Sequence, residues 1–371
     1  MRAVRLLVVL LIFVLGALGG SGAARQAPTS RERPTRSVTS AELFGAHAGL
    51  VTTETCSKHR CRHRLYLTRD LGKTWRDITP RQVKAEMPFY DVFWRGRRRG
   101  WAVAGFCDQG RLVRTTDAGR TWHATRSFSS LGCHGGAGDA IDFVDARHGF
   151  LDEWDPVGEG SQIRRTTTGG RRWSDGNEVR SVGPVNFRDR RHGYLASVQF
   201  GHQLRYSASG GRRWALRSVP RPVGYRHADR IYDLPTFAGN ARILPVTLVR
   251  RHREDVAFYS ASIGPGGWGD PVLLRSHLKA RHDYSFSLPV PTSVASPTRW
   301  WAFYGRGTHL AVTHDGGQTW SLRDPPLRGA AGSISAAGGR SAWVTTSDGD
   351  RGRAYATRSG GRHWRRMRPW R

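Results

Sequence analysis

Lysine is the residue this chain nearly does without. Four lysines, at 58, 73, 84 and 279, stand among 59 basic residues, which leaves 55 arginines against 29 Asp and Glu. The formal net charge is +30 and the pI about 11.4. So lopsided an Arg:Lys ratio points to GC-rich coding, which exchanges Lys for Arg without functional meaning. The shortage of acids does not follow from that bias, and it presents any partner with a strong positive field. Enzymatic signatures are missing as well. There is no Walker loop, no G-x-S-x-G nucleophile elbow and no H-E-x-x-H signature, so the matching phosphate-cradling, acyl-transfer and zinc chemistries have no carrier. After residue 24 no apolar run approaches the ~20 residues of a membrane span. What is abundant is glycine, 45 of 371 residues, together with 14 tryptophans. Glycine this far above its usual ~7% predicts many turns and short strands rather than long helices.

The N-terminus reads as an export signal. Met1-Arg2-Ala3-Val4-Arg5 is positive, Leu6 to Leu18 is a 13-residue apolar run, and Ser21-Gly22-Ala23-Ala24 supplies small residues for cleavage. This predicts a signal peptide over 1–24 and a secreted or extracytoplasmic mature chain, with a retained signal anchor as the alternative. Removing Arg2 and Arg5 leaves a charge of about +28. No Cys follows the apolar run, which disfavours a lipoprotein. Residues 25–38, with two prolines, are expected to be a flexible linker ahead of a folded region at 39–371. In an oxidising compartment Cys56 and Cys61 are placed to pair across a hairpin, leaving Cys107 and Cys133. Four cysteines allow three connectivities, so the pairing stays open. A metal site built from Cys56, Cys61, His59 and His63 lacks a second ligand pair at matching spacing, and no metal or cofactor is expected.

One phrase recurs along the chain. It runs from Thr68 through Asp70, Gly72 and Thr74 to Trp75, again from Thr115 through Asp117, Gly119 and Thr121 to Trp122, and again from Thr313 through Asp315, Gly317 and Thr319 to Trp320. Weaker copies end at Trp173, Trp214 and Trp364, with Thr168, Ser209 and Ser359 in place of Asp; a seventh, one residue longer, ends at Trp268. The Trp-to-Trp intervals are 47, 51, 41, 54, 52 and 44 residues. Spacing in this range with turn chemistry predicts repeated β units, most naturally propeller blades. The Asp or Ser side chain can bond backbone N–H groups within the turn, Gly adopts a conformation barred to other residues, and Trp packs between units. A second phrase precedes the boxes: Asp142-Phe143 to His148-Gly149-Phe150, Asn186-Phe187 to His192-Gly193-Tyr194, and the longer Asp91 to Trp101. Each reads as strand, turn with Gly, strand.

The first phrase resembles the Asp-box, or BNR repeat. The fuller pattern resembles the photosystem II stability/assembly factor family, whose members are seven-bladed BNR-type propellers. The resemblance implies an all-β, seven-bladed β-propeller of four-stranded antiparallel blades with Asp-box turns. Seven blades can be marked at roughly 39–80, 88–127, 139–177, 183–219, 229–275, 282–324 and 330–369, with the fifth the poorest match. Assigning photosynthetic assembly to this chain needs evidence that the sequence does not hold.

Sialidases also carry Asp-boxes, so a sialidase-like glycoside hydrolase, or another carbohydrate-active enzyme, is the rival reading. The Tyr/Phe-Arg-Ile-Pro phrase of that family has no match between residues 25 and 67. Asp70, Asp117 and Asp315 are read as parts of the fold, and no catalytic residue is assigned. Asp152, Glu153, Asp155 and Glu159 form an acidic patch, while Asp91, Asp142, Asp233 and Asp283 fall near innermost strands. These either face the central channel or pair with surplus arginines. Histidines sit mostly in the His-Gly turns, where a structural role is expected.

In an up-and-down blade of strands A to D, the A–B and C–D turns emerge on one face. Those turns carry Arg95, Arg97, Arg98, Arg99, Arg147, Arg188, Arg190 and Arg191, and Arg69, Lys73, Arg120, Arg171, Arg172, Arg212, Arg213, Arg358 and Arg362. Clustered guanidinium groups suit carboxylate and phosphate recognition. The chain is therefore read as a monomeric, non-catalytic binding or assembly scaffold. Its expected partners are an acidic protein, an anionic envelope polymer or lipid headgroups. Nucleic acid is disfavoured, because no binding motif for it is present.

Overall fold

The computed structural model describes residues 34–58, 60–106, 109–128, 140–155, 160–197, 202–250, 253–264, 266–276, 289–349 and 351–370. The expected signal peptide, His59, Cys107, Cys133, Glu159 and Asp283 lie outside these, as do the side chains of Trp154 and Asp155.

Seven antiparallel sheets follow one another along the chain, spanning 35–77, 89–128, 140–179, 185–216, 229–274, 292–323 and 330–366. In six of them strands pair in sequence order, so each of these blades is a meander closed by its own hairpins. Six have four strands; the fifth has five. The extra strand arises because Asp229–Tyr232 and Thr236–Ala238 both pair with the ten-residue Ala241–Arg250. Residues 233–235 bulge out between them, and Pro235 cannot donate a ladder hydrogen bond, so one innermost strand is cut in two. The first strand, Thr35–Leu43, begins inside the stretch expected to be linker to residue 38. Val38 is already buried at 3% exposure, so the chain joins the core earlier than its polar composition suggests.

The seven blades enclose seven apolar clusters, one at each seam between neighbours. Leu65, Ile78 and Val113 fill the seam of blades 1 and 2; Trp101 and Phe143, stacked at 3.7 Å, fill that of blades 2 and 3. The ring closes without exchanging a strand. Blade 7 contributes Trp343 and Ala354 to a cluster with Val38, Ala41 and Val51 of blade 1. Because strands stack on their successors all around the ring, burial comes from blade-on-blade contact rather than from one central core.

The second repeated phrase has a packing cause. A Cβ at Gly149 would sit 2.5 Å from the Phe143 ring, and one at Gly193 would sit 2.4 Å from the Phe187 ring. The aromatic residue of strand A lies across the glycine that opens strand B, which is why the two residues recur together.

Candidate functional site

The three full boxes fold alike. In the first, Asp70 accepts the backbone N–H of Lys73 and Thr74 and the Thr74 hydroxyl, while the Thr68 hydroxyl donates to Asp70 and accepts the N–H of Gly72. Asp117 and Asp315 make the corresponding bonds to Thr121 and Thr319. Two successive residues take positive φ: Leu71 and Gly72, Ala118 and Gly119, Gly316 and Gly317. Partial burial pushes the Asp70 and Asp117 carboxyls up, but the donated hydrogen bonds outweigh it and hold both well below the usual carboxylate range. For Asp315 the Thr319 hydroxyl leads the same lowering. In the weaker boxes a hydroxyl replaces the carboxylate: Thr168, Ser209 and Ser359 accept the N–H of Arg172, Arg213 and His363 at 2.9, 2.8 and 2.8 Å. The tryptophans fall at the seams, with Trp122 donating to Ile78 O at 2.7 Å, Trp75 beside Trp343, and Trp320 beside Phe258.

Two of the A–B turns, in blades 3 and 4, are also built on an aspartate. Asp145 accepts the N–H of Arg147 and His148 and lies 2.9 Å from His148 Nδ1; Asp189 repeats this with Arg191 and His192. These histidines are turn residues bound to their own loop. The two kinds of turn are tied together. The C–D turn donates to the A–B turn at Leu71 to His47, Ala118 to Arg98, Gly169 to Arg147, Gly210 to Arg191, Gly316 to Thr298 and Gly360 to Arg340, at 2.7–2.9 Å. In six blades, therefore, A–B and C–D turns share one face. Arg97, Arg98, Arg99, Arg147, Arg190 and Arg191 are exposed on it, with Arg188 half-buried and bonded to Asp189.

Positive charge is not confined to that face. Lys58, Arg60, Arg81, Lys84, Arg180 and Arg226 are exposed on the B–C hairpins and inter-blade connections at the opposite end. Charge alone thus does not single out a face. The box face differs in that the five turn aspartates named above are each engaged by backbone N–H groups of their own loop.

The remaining carboxylates take other places. Asp91 and Asp142 are buried and accept the backbone N–H of Ile141 and Phe187 from the following blade at 2.8 and 2.6 Å. Asn186, Thr247, Ser293 and Ser335 bridge four further seams through Pro235, Val290, Ala336 and Leu43. Asp233 accepts from Leu234 N and the Thr292 hydroxyl, and burial pushes it up to about 7. The expectation that these aspartates face the channel or pair with surplus arginines misses this bracing role, because sequence spacing does not show which backbone N–H groups the next blade leaves open. Glu153 does follow the ion-pair reading, meeting Arg126 at 3.2 Å and also Arg164. Cys56 and Cys61 form a disulfide between directly paired residues of a hairpin, so neither offers a thiolate to a metal. Among the described residues no helix is long and apolar enough to cross a membrane.

Comparison with known proteins agrees with this architecture. The BNR/Asp-box repeat matches residues 311–322, the third full box. No curated protein sequence matches the chain. Among solved structures, YCF48 bound to D1 peptide superposes with a TM-score of 0.60 at 17% identity, covering 88% of this chain and 94% of that one. YCF48 from Cyanidioschyzon merolae gives 0.50 at 15%, covering 76% and 85%. The GH74 xyloglucanase from Xanthomonas campestris gives 0.59 at 15%, covering 89% of this chain but only 53% of the enzyme. At these identities the likeness is one of fold, and it bears out the seven-bladed Asp-box propeller.

Proposed function

We propose that this chain is an exported, monomeric, non-catalytic scaffold whose Arg-rich box face holds an acidic segment of a protein partner. The observation that carries the reading is the pairing of A–B and C–D turns in six blades, which brings exposed arginines from separate repeats together. The turn aspartates stay ionised and offset only part of this charge, Asp145 meeting Arg190 of the next blade at 3.3 Å while each is also held by N–H groups of its own loop. A propeller of similar fold, YCF48, has been seen with a bound peptide, which supports a protein partner over a polymer or lipid surface.

The test is binding of an acidic peptide, poly-glutamate, against ionic strength. Affinity should fall steeply with salt, since exposed charges beyond ~10 Å are screened at 0.1 M. Reversing Arg97, Arg98, Arg99, Arg190 and Arg191 to Glu should lower it by about tenfold or more. Unchanged affinity in that variant would overturn the basic-face reading. Likeness to a xyloglucanase makes the glycosidase alternative worth a direct control with a panel of fluorogenic glycosides, sialosides included. Turnover that disappears on replacing an inner-strand carboxylate would replace the scaffold reading with an enzymatic one.

A further inference from the structure

Three seams of the propeller repeat an arrangement that the fold itself does not satisfy. Arg114 of strand Gln109–Thr115, Arg165 of strand Gly160–Thr166 and Arg323 of strand Ser321–Arg323 each hold a guanidinium nitrogen that is buried and has no protein acceptor: Nε, Nη1 and Nη1 respectively. Each also lies beside an arginine of the following blade's box turn: Arg171, Arg212 and Arg362. Desolvation first, and the neighbouring positive charge second, lower the proton affinity of all three, and no carboxylate acts in the other direction. A buried donor without an acceptor, next to a like charge, costs stability that a bound anion would return.

The seam of blades 2 and 3 carries the arrangement furthest. There Arg99 joins Arg114 and Arg171. A cleft of about 450 Å³ is lined by Arg114, Thr116, His123, Thr125 and Arg171. A second of about 400 Å³ continues it along Arg97, Arg98 and Arg99 and shares Arg114 and Thr116. Arg95, also on that wall, donates to Phe143 O. Gly169, at φ +70°, borders this seam: a Cβ there would sit 2.7 Å from Ala146 O and in ordinary contact, 3.4 Å, with Arg114 Nη2.

The geometry points to this cleft as a site for a tetrahedral oxyanion, the phosphate group of a monoester or the free phosphate or sulfate ion. Arg114 is shared by the two clefts, Arg171 of the next blade lines one and Arg99 the other, and Thr116 and Thr125 line the same walls. A dianion with three or four acceptor oxygens matches that set better than one planar carboxylate, which would leave more of the charge uncompensated. The inference rests on the anion-binding reading of the box face and narrows its ligand chemistry.

The experiment titrates the folded protein with inorganic phosphate, sulfate and acetate at one ionic strength, held with sodium chloride, and reads heat of binding and thermal midpoint. Phosphate and sulfate should bind saturably and raise the midpoint; acetate should not. Arg99→Gln and Arg171→Gln, both exposed and compatible with folding, should each weaken phosphate binding by about tenfold or more, the loss of a charge-assisted contact. Arg226→Gln, on the opposite face, should leave it unchanged and controls for net charge. A second arm uses vesicles containing phosphatidic acid: binding that inorganic phosphate competes away identifies a headgroup source, and phosphate binding without vesicle binding identifies a soluble one. No saturable phosphate or sulfate response above acetate, or equal phosphate affinity in Arg171→Gln and Arg226→Gln, overturns the site. Should poly-glutamate binding persist in the same protein while that response is missing, the oxyanion site alone falls. Loss of poly-glutamate binding with the phosphate response intact would instead sink the acidic-segment reading.

Discussion

Two sets of aspartates in this propeller do the same task in opposite surroundings. At the turn rim, Asp70, Asp117 and Asp315 accept several N–H and O–H donors within their own loop, in water's reach, and stay ionised to low pH. On the inner strands Asp91, Asp142 and Asp233 are buried and reach across a seam. A rim aspartate closes a turn that belongs to one blade, whereas an inner aspartate joins two. The difference teaches that a carboxylate's worth here depends on how many blades lose a partner when it is removed, and on whether water can replace it.

That contrast can be tested with four substitutions at three sites. Asp142→Ala strands the buried Phe187 N–H between blades 3 and 4 and should cost about 2–4 kcal/mol by denaturant titration. Asp233 tests the electrostatics. Its raised carboxyl binds a proton more tightly in the folded chain than in the unfolded one. Stability should therefore fall as pH rises from about 4 to about 7, then level off. Asp233→Asn should remove that decline and stabilise the protein at pH 8 by about 1–3 kcal/mol. Asp117→Ala should cost less, about 1–2 kcal/mol, since the freed N–H of Thr121 is exposed to water. Its lowered carboxyl gives the opposite pH dependence: the contribution is full above about 4 and lost as pH falls further. Smallest of all should be Asp117→Ser, within about 0.5–1 kcal/mol, because Ser209 and Ser359 already hold equivalent turns by one hydroxyl. If Asp117→Ala proved as costly as Asp142→Ala, the distinction between rim and inner ring would not hold.

Much of the fold was legible in the residues because each repeat carries its own turn chemistry. Thr115, Asp117 and Gly119 bond one another within a few positions, so spacing alone reports the turn, and the Phe143–Gly149 stack likewise lies within one hairpin. Blade 5 was harder for the same reason. Its box lacks an acidic acceptor, and its turn is held from a distance by buried Arg242, whose guanidinium bonds Gly266 and Gly267 carbonyls and lies over Trp268. The bracing by Asp91, Asp142 and Asp233 was not legible, since their partners stand 45–59 residues away. Nor did the spread of basic residues over both faces show in the turn count, because attention to the boxes leaves the B–C hairpins aside.

By itself the sequence determined the repeat, its length, the turns and the side of the blade on which the arginines emerge, since these follow from short-range hydrogen bonding and strand alternation. Tertiary structure decided which aspartate is buried and which is wet, how blade 7 meets blade 1, and that Arg114 joins two clefts, one lined by Arg171 and the other by Arg99. Those outcomes depend on contacts between neighbouring blades, where packing and desolvation set the energy of a charge and no local pattern records them.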